Sequence, residues 1–312
     1  MGKIAFVFPG QGSQYVGMGK EAKEHNQRAA AVLEKANDAL GVSLTDLCFE
    51  GPEDVLRLTA NAQPAILTTS IAMLEWLRDE VELNPSYVAG HSLGEYSALV
   101  AAGAMSFEDA VVGVRARGTY MEEAVPAGVG TMAAVLGMDR EPLGEICNEV
   151  TESGDPVQLA NLNCPGQIVI SGSAAGVQRA GEVAKSGGAK RVIPLNVSGP
   201  FHSSLLKPAA DKLADKLATF DIKDAQVPVI TNVSAKPTTD AKEIYQSLVE
   251  QVVSSVLWED SVRFMLDQGV DTFIEIGPGN VLSGLIKKID RNVKVYSIGD
   301  VASLTKFKSE WI

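Results

Sequence analysis

Five residues constrain this chain more than any others: Gly90-His91-Ser92-Leu93-Gly94, which directly follow the apolar run Tyr87-Val88-Ala89 and precede a helical pattern at 95–102. A serine between glycines at a strand-to-helix junction reads as a sharp turn that lifts its hydroxyl clear of a sheet. The turn leaves little room for side chains, so glycines stand two positions away on both sides. The helix behind it aims N–H groups and a partial positive charge at the place where an oxyanion would develop. A glycine-rich turn with an incidental serine could show the same five residues. The flanking strand and helix favour the nucleophile.

The rest of the pattern agrees with a sheet covered by helices. Short β-rich runs at 4–8, 87–90, 227–232, 272–276 and 293–298 alternate with helical patterns that include 64–83 and 107–123. Ser106 with Asp109 reads as a capping box for the second of these helices. The middle of the chain differs: strand 131–136, helix 141–150, strands 157–162 and 168–171 around Cys164-Pro165-Gly166, helix 174–185, strand 191–197. That order is β-α-β-β-α-β, the ferredoxin-like pattern. Pro126-Ala127-Gly128 and Ser198-Gly199-Pro200 mark hinges on either side. The expected architecture is therefore α/β: a large parallel-sheet domain at 1–127 and 199–312, with a small ferredoxin-like domain inserted at 128–198. A cleft between the two is a natural ligand site.

Composition excludes several functions. The formal net charge of −12 argues against nucleic acid as the main partner. Cys48, Cys147 and Cys164 are an odd count without metal-ligand spacing, so no metal is expected, and they fit packing in a reducing cytoplasm. The apolar run at 4–8 stops at Pro9-Gly10, too short for a signal peptide, and no run approaches the length of a membrane helix.

A serine nucleophile needs a base, and the chain has three histidines. His25 lies in the charged stretch Lys20 to Arg28 and reads as solvated helix surface. His91 adjoins Ser92, so its side chain should leave on the opposite face. His202 remains, in a loop ahead of a helix. No acid stands out as a third member of the set. The segment Gly10-Gln11-Gly12 follows the first strand, and there glycines can bring backbone N–H groups close to a ligand beside Gln11. With the N–H of Leu93 it would form an oxyanion hole. Finally, Ala110, Val114, Arg117 and Met121 share one helical face, apolar except for the arginine. A guanidinium there needs an anion, either an internal Asp or Glu or a substrate carboxylate, and the internal pair is the commoner arrangement.

Taken together, Gly10-Gln11-Gly12-Ser13-Gln14, the Ser92 elbow, Arg115-Ala116-Arg117-Gly118, Asn163-Cys164-Pro165-Gly166-Gln167, Gly199-Pro200-Phe201-His202-Ser203 and Glu275-Ile276-Gly277-Pro278-Gly279 resemble the malonyl-CoA:acyl carrier protein transacylase family and the acyltransferase domains of polyketide synthases. The resemblance spans nearly the whole chain. It implies an α/β-hydrolase-like domain with a ferredoxin-like insert, and a ping-pong transfer of malonyl from coenzyme A to the phosphopantetheine thiol of acyl carrier protein through Ser92, with His202 as base. It further implies that Gln251 orients the base through its backbone carbonyl, which accounts for the missing acid. Gln11 and Leu93 would hold the oxyanion, and Arg117 the malonyl carboxylate. Met121 and Asn163 would line the pocket, and Phe201 would crowd an α-methyl group. No cofactor is implied; the coenzyme A thioester is the substrate. Carrier proteins are acidic and so is this chain, so docking would use local basic residues, with Lys190-Arg191 and Lys287-Lys288 as candidates.

Two other classes fit parts of the pattern. A serine esterase or thioesterase would use the same elbow but need no carboxylate clamp. A non-catalytic acyl-carrier or coenzyme A-binding partner would keep the fold and form no adduct on Ser92.

Overall fold

A computed structural model describes residues 2–126 and 128–311, so Ala127 of the first expected hinge lies outside the described residues. Strands β1 (Lys3–Phe8), β2 (Tyr87–Gly90), β7 (Val229–Ile230), β8 (Pro237–Thr238), β9 (Val270–Ile276) and β10 (Lys294–Ile298) form one sheet in the order β10-β9-β1-β2-β7-β8. All pairs are parallel except β7 with β8. Strand β1 is buried on both faces: Phe6 and Phe8 enter one core, while Ala5 and Val7 enter the other with Ala89 and Phe273. This is why it reads as a continuous apolar run rather than an alternation.

Strands β3 (Gly130–Leu136), β4 (Val157–Cys164), β5 (Gln167–Ser173) and β6 (Arg191–Pro194) form a second, antiparallel sheet in the order β4-β5-β3-β6. Helices Arg140–Glu152 and Ala174–Ser186 supply its own core through Leu143, Cys147, Val177 and Ala180 against Val135 and Ile170. A parallel bridge from Asn161 to Val256 ties this sheet to the rest of the chain.

Several boundaries differ from expectation, each for a tertiary reason. The helix expected from residue 64 starts at Thr59, with Pro64 inside it. Its first turn is completed by another helix, where Thr59 N–H donates to the Glu122 carboxylate at 2.6 Å. It also ends early, at Glu80, because Val81 turns extended. The run at 227–232 forms strand only at Val229–Ile230, because Asn232 leaves the sheet to bond the elbow. The two-residue β8 escaped pattern reading altogether. The strand expected to reach 197 stops at Pro194, and Leu195, Asn196 and Val197 line the cleft instead.

The elbow's glycines are explained by contact. A Cβ on Gly90 would stand 1.9 Å from the carbonyl group of Gly94, and one on Gly94 would stand 2.2 Å from the carbonyl oxygen of Phe8. Both clashes are with backbone, which cannot step aside. Gly90→Ala is therefore expected to cost about 3 kcal/mol of stability or more, read by denaturant unfolding. An unchanged midpoint would contradict so close an approach of the two backbones.

Candidate active site

In the parallel pair β1–β2, Phe8 stands opposite Gly90. Both strands therefore deliver their following loops to the same edge, the carboxyl end of the sheet where α/β proteins place ligands. Gln11 and Leu93 each lie three residues beyond that paired position. Neither backbone N–H has an acceptor among the described residues, whereas the Gln11 side-chain amide is engaged by Thr59 Oγ1 at 3.1 Å. The N–H of Ser92 is unavailable, since it donates to Asn232 Oδ1 at 2.7 Å.

Ser92 holds φ at 53°, in the left-handed region that a side chain rarely adopts. The strain directs its Oγ at His202 Nε2, 2.8 Å away. His202 has φ of 57° and is 3 % exposed. Its Nδ1 lies 2.8 Å from the backbone carbonyl oxygen of Gln251. Gln251 is the last residue of helix Ala241–Gln251, and the final carbonyls of a helix lack partners within it. A histidine N–H satisfies one of them here. That bond fixes Nδ1 as the protonated nitrogen and leaves Nε2 to accept from Ser92. A carbonyl thus does for the imidazole what a carboxylate does in the Ser-His-Asp arrangement.

Burial lowers the His202 pKa to about 3, and the positive Arg117 pushes the same way. The ring is consequently neutral and able to accept a proton at any physiological pH. Because an unfolded histidine titrates near ~6.5, protons favour the unfolded chain. The stability contribution is full above that value and falls as the medium is acidified below it. Imidazole carbon NMR is expected to show His202 neutral throughout pH 8 to 5. Protonation near 6.5 would contradict the assignment.

Arg117 is 1 % exposed, on helix Phe107–Glu123 with Ala110, Val114 and Met121 also buried. Its Nη1 donates to Gln63 Oε1 at 2.7 Å, and its Nη2 to Ser92 Oγ at 3.0 Å and Gln251 Oε1 at 2.9 Å. The commoner expectation, a direct internal ion pair, is not met: no described carboxylate lies within 4.0 Å of the guanidinium, and its Nε–H has no acceptor. Glu95 is linked to the guanidinium through the Gln251 amide. Burial pushes the Glu95 carboxyl up to about 7, against the pull of the Asn232 N–H, the Gln251 amide and Arg117.

Ser92, His202, Leu93, Arg117, Gln11, Met121 and Phe201 all line one cleft of about 450 Å³. Asn163 does not. Its Oδ1 meets His91 Nε2 at 2.8 Å, so that ring covers it, and Asn161, two residues earlier on β4, faces the cleft instead. His91 also packs beside Trp258, and it is itself among the residues that line the cleft. His25 is exposed and stacks on Trp76. Lys190, Arg191, Lys287 and Lys288 are exposed and lie outside the cleft. They are nonetheless neighbours: Arg191 and Gln167 flank Leu136 in the sheet, and Lys288 Nζ donates to Gln167 Oε1 at 2.9 Å. Lys287 is already engaged by the carbonyl of Val293 at 2.6 Å. Sequence reading missed Asn232, Gln63 and Glu95. Only Asn232 left a signal, as a polar residue ending an apolar strand run at the sheet's active edge.

The cysteines are buried and unpaired. Among the described residues, no group of three or more His, Cys, Asp or Glu could hold a metal, and no helix is long and apolar enough to cross a membrane.

The acyl transferase domain family matches residues 5–305. The malonyl CoA-acyl carrier protein transacylase of Bacillus subtilis is 59% identical over 300 residues, covering 96% of this chain and 94% of the relative. The crystal structure of acyl-carrier-protein S-malonyltransferase from Bartonella henselae superposes with a TM-score of 0.95 at 44% identity, covering 99% and 100% of the two chains. A malonyl-transacylase in complex with its type II polyketide synthase acyl-carrier protein superposes with a TM-score of 0.95 at 42% identity, covering 99% of each chain. With matches of this length at both levels, the chain belongs to the acyl transferase family, on its malonyl CoA-acyl carrier protein transacylase branch.

Proposed function

We propose that the cleft transfers a malonyl group from malonyl-CoA to the phosphopantetheine thiol of acyl carrier protein by way of a malonyl-Ser92 ester. One observation carries the reading: a fully buried arginine touches the nucleophile's Oγ and has no carboxylate of its own. An esterase acting on neutral acyl groups has no use for such a charge, and a substrate carrying a free carboxylate supplies its missing partner.

In this mechanism Ser92 Oγ attacks the thioester carbonyl as its proton passes to His202 Nε2. The oxyanion forms against the N–H groups of Gln11 and Leu93. The tetrahedral intermediate collapses, the C–S bond breaks, and the coenzyme A sulfur takes the proton from His202. In the second half the carrier thiol gives its proton to His202 and attacks the ester. Collapse then returns the proton to Ser92 Oγ. Gln251 holds the imidazole through its carbonyl, while Met121 and Phe201 shape the acyl pocket. No cofactor takes part. Lys190, Arg191 and Lys288, grouped at one edge of the small sheet, are the docking surface for the acidic carrier, with Lys287 at its margin. The division into a catalytic part, 1–127 and 199–312, and an insert, 128–198, belongs to the same proposal, as does action in the cytoplasm.

Intact-protein mass after brief exposure to malonyl-CoA, beside acetyl-CoA, tests the reading. A single malonyl adduct, weak with acetyl-CoA, is expected. Released malonate without an adduct would point to a hydrolase, and neither adduct nor turnover to a binding partner.

A further inference from the structure

Arg117 lacks a direct counter-charge, yet a carboxylate is buried one amide away. Glu95, 1 % exposed, sits in the first turn of helix Gly94–Ala101. Its Oε2 accepts from Asn232 N–H and from Gln251 Nε2, each at 2.9 Å. At the other end of the same amide, Gln251 Oε1 accepts from Arg117 Nη2 at 2.9 Å. An ionised carboxylate only accepts and a guanidinium only donates. One orientation of the Gln251 amide satisfies both, as it does the Ser92 carbonyl, which also accepts from Gln251 Nε2 at 3.0 Å, and the flipped amide would oppose all three.

We propose that Glu95 is a positioning residue that locks the Gln251 amide and, through it, holds Arg117 where the substrate carboxylate arrives. The assignment rests on Arg117 as the clamp for the malonyl carboxylate. The interposed amide has a physical purpose. A direct Glu95–Arg117 pair would occupy the donors the substrate needs. With the amide between them, Glu95 fixes the acceptor that faces Arg117 while the Nε–H stays without a protein acceptor. Because the Gln251 carbonyl that meets His202 is held by its helix rather than by its side chain, Glu95 bears on the anion clamp more than on the base.

The test is kcat/KM for malonyl-CoA and acetyl-CoA in wild type, Glu95→Ala, Glu95→Gln, Gln251→Ala and the Glu95→Ala/Gln251→Ala double variant. Glu95→Ala is expected to lower malonyl transfer about 10- to 100-fold, the size of a hydrogen bond to a charged group, and acetyl transfer less than about threefold. Glu95→Gln keeps an oxygen able to accept both N–H groups, so it should restore most of the malonyl activity. The double variant should be no worse than Gln251→Ala alone. Equal losses for both acyl groups, an additive double variant, or unimpaired malonyl transfer in Glu95→Ala would each overturn the proposal. If Glu95→Ala does not fold, Glu95→Asp, which keeps the charge but withdraws the acceptor, must show the same selective loss. A wild-type protein that forms no malonyl adduct would instead remove the reading of the site itself.

Discussion

Ser92→Ala is expected to abolish the covalent adduct and reduce malonyl transfer roughly 10⁴–10⁶-fold, the range seen when a nucleophile acting as one unit with its base is deleted. The loss is large because both half-reactions pass through the same ester. With no oxygen at position 92, His202 has no proton to accept, and Arg117 loses one of its three hydrogen bonds. The backbone should survive. Alanine tolerates the positive φ no worse than serine, and the Ser92 N–H that binds Asn232 is retained. Thermal unfolding should therefore stay close to wild type while rapid-quench acylation falls to background. A variant that still acquires one malonyl group would move the nucleophile elsewhere.

Arg117→Ala carries the second-largest effect, and it distinguishes transacylase from esterase. Truncating one side of a buried, hydrogen-bonded charge pair costs about 2–5 kcal/mol, so kcat/KM for malonyl-CoA should fall about 30- to 5,000-fold. The same change should leave acetyl-CoA nearly as slow a substrate as before, because acetyl never supplies the partner that the guanidinium lacks. Selectivity, the ratio of the two values, is the quantity to measure. Deleting the arginine also removes the positive charge that acidifies Glu95, so the remaining carboxyl should take up a proton more readily. A uniform loss with both acyl groups would mean that Arg117 serves the nucleophile, which it touches at 3.0 Å, and not the substrate.

The Ser92–His202 pair was legible because each residue left a local trace. Ser92 stands in a five-residue turn whose first glycine is demanded by a backbone contact within the turn and whose last by the backbone of the neighbouring strand at Phe8, and His202 emerged by elimination among three histidines. Arg117 was legible as an anomaly on an apolar helical face, but its partner was not. Choosing between an internal acid and a ligand requires knowing that Glu95 stops one amide short. Asn163 and Asn161 show the same limit. They share a strand, but the β4–β5 register shifts between Leu162 and Cys164, around Asn163, which meets His91 while Asn161 faces the cleft.

By itself the sequence determined the α/β alternation, the β-α-β-β-α-β middle and the strand-turn-helix elbow, because these follow from short-range periodicity and turn sterics. The tertiary structure decided the rest. It extended helix Thr59–Glu80 past Pro64 through a carboxylate from another helix. It brought Asn232 out of its strand to occupy the Ser92 N–H, and set the free carbonyl at the end of a helix, rather than an acid, against His202 Nδ1. Those bonds join residues tens to more than a hundred positions apart, and no pattern along the chain encodes which buried donor will meet which acceptor.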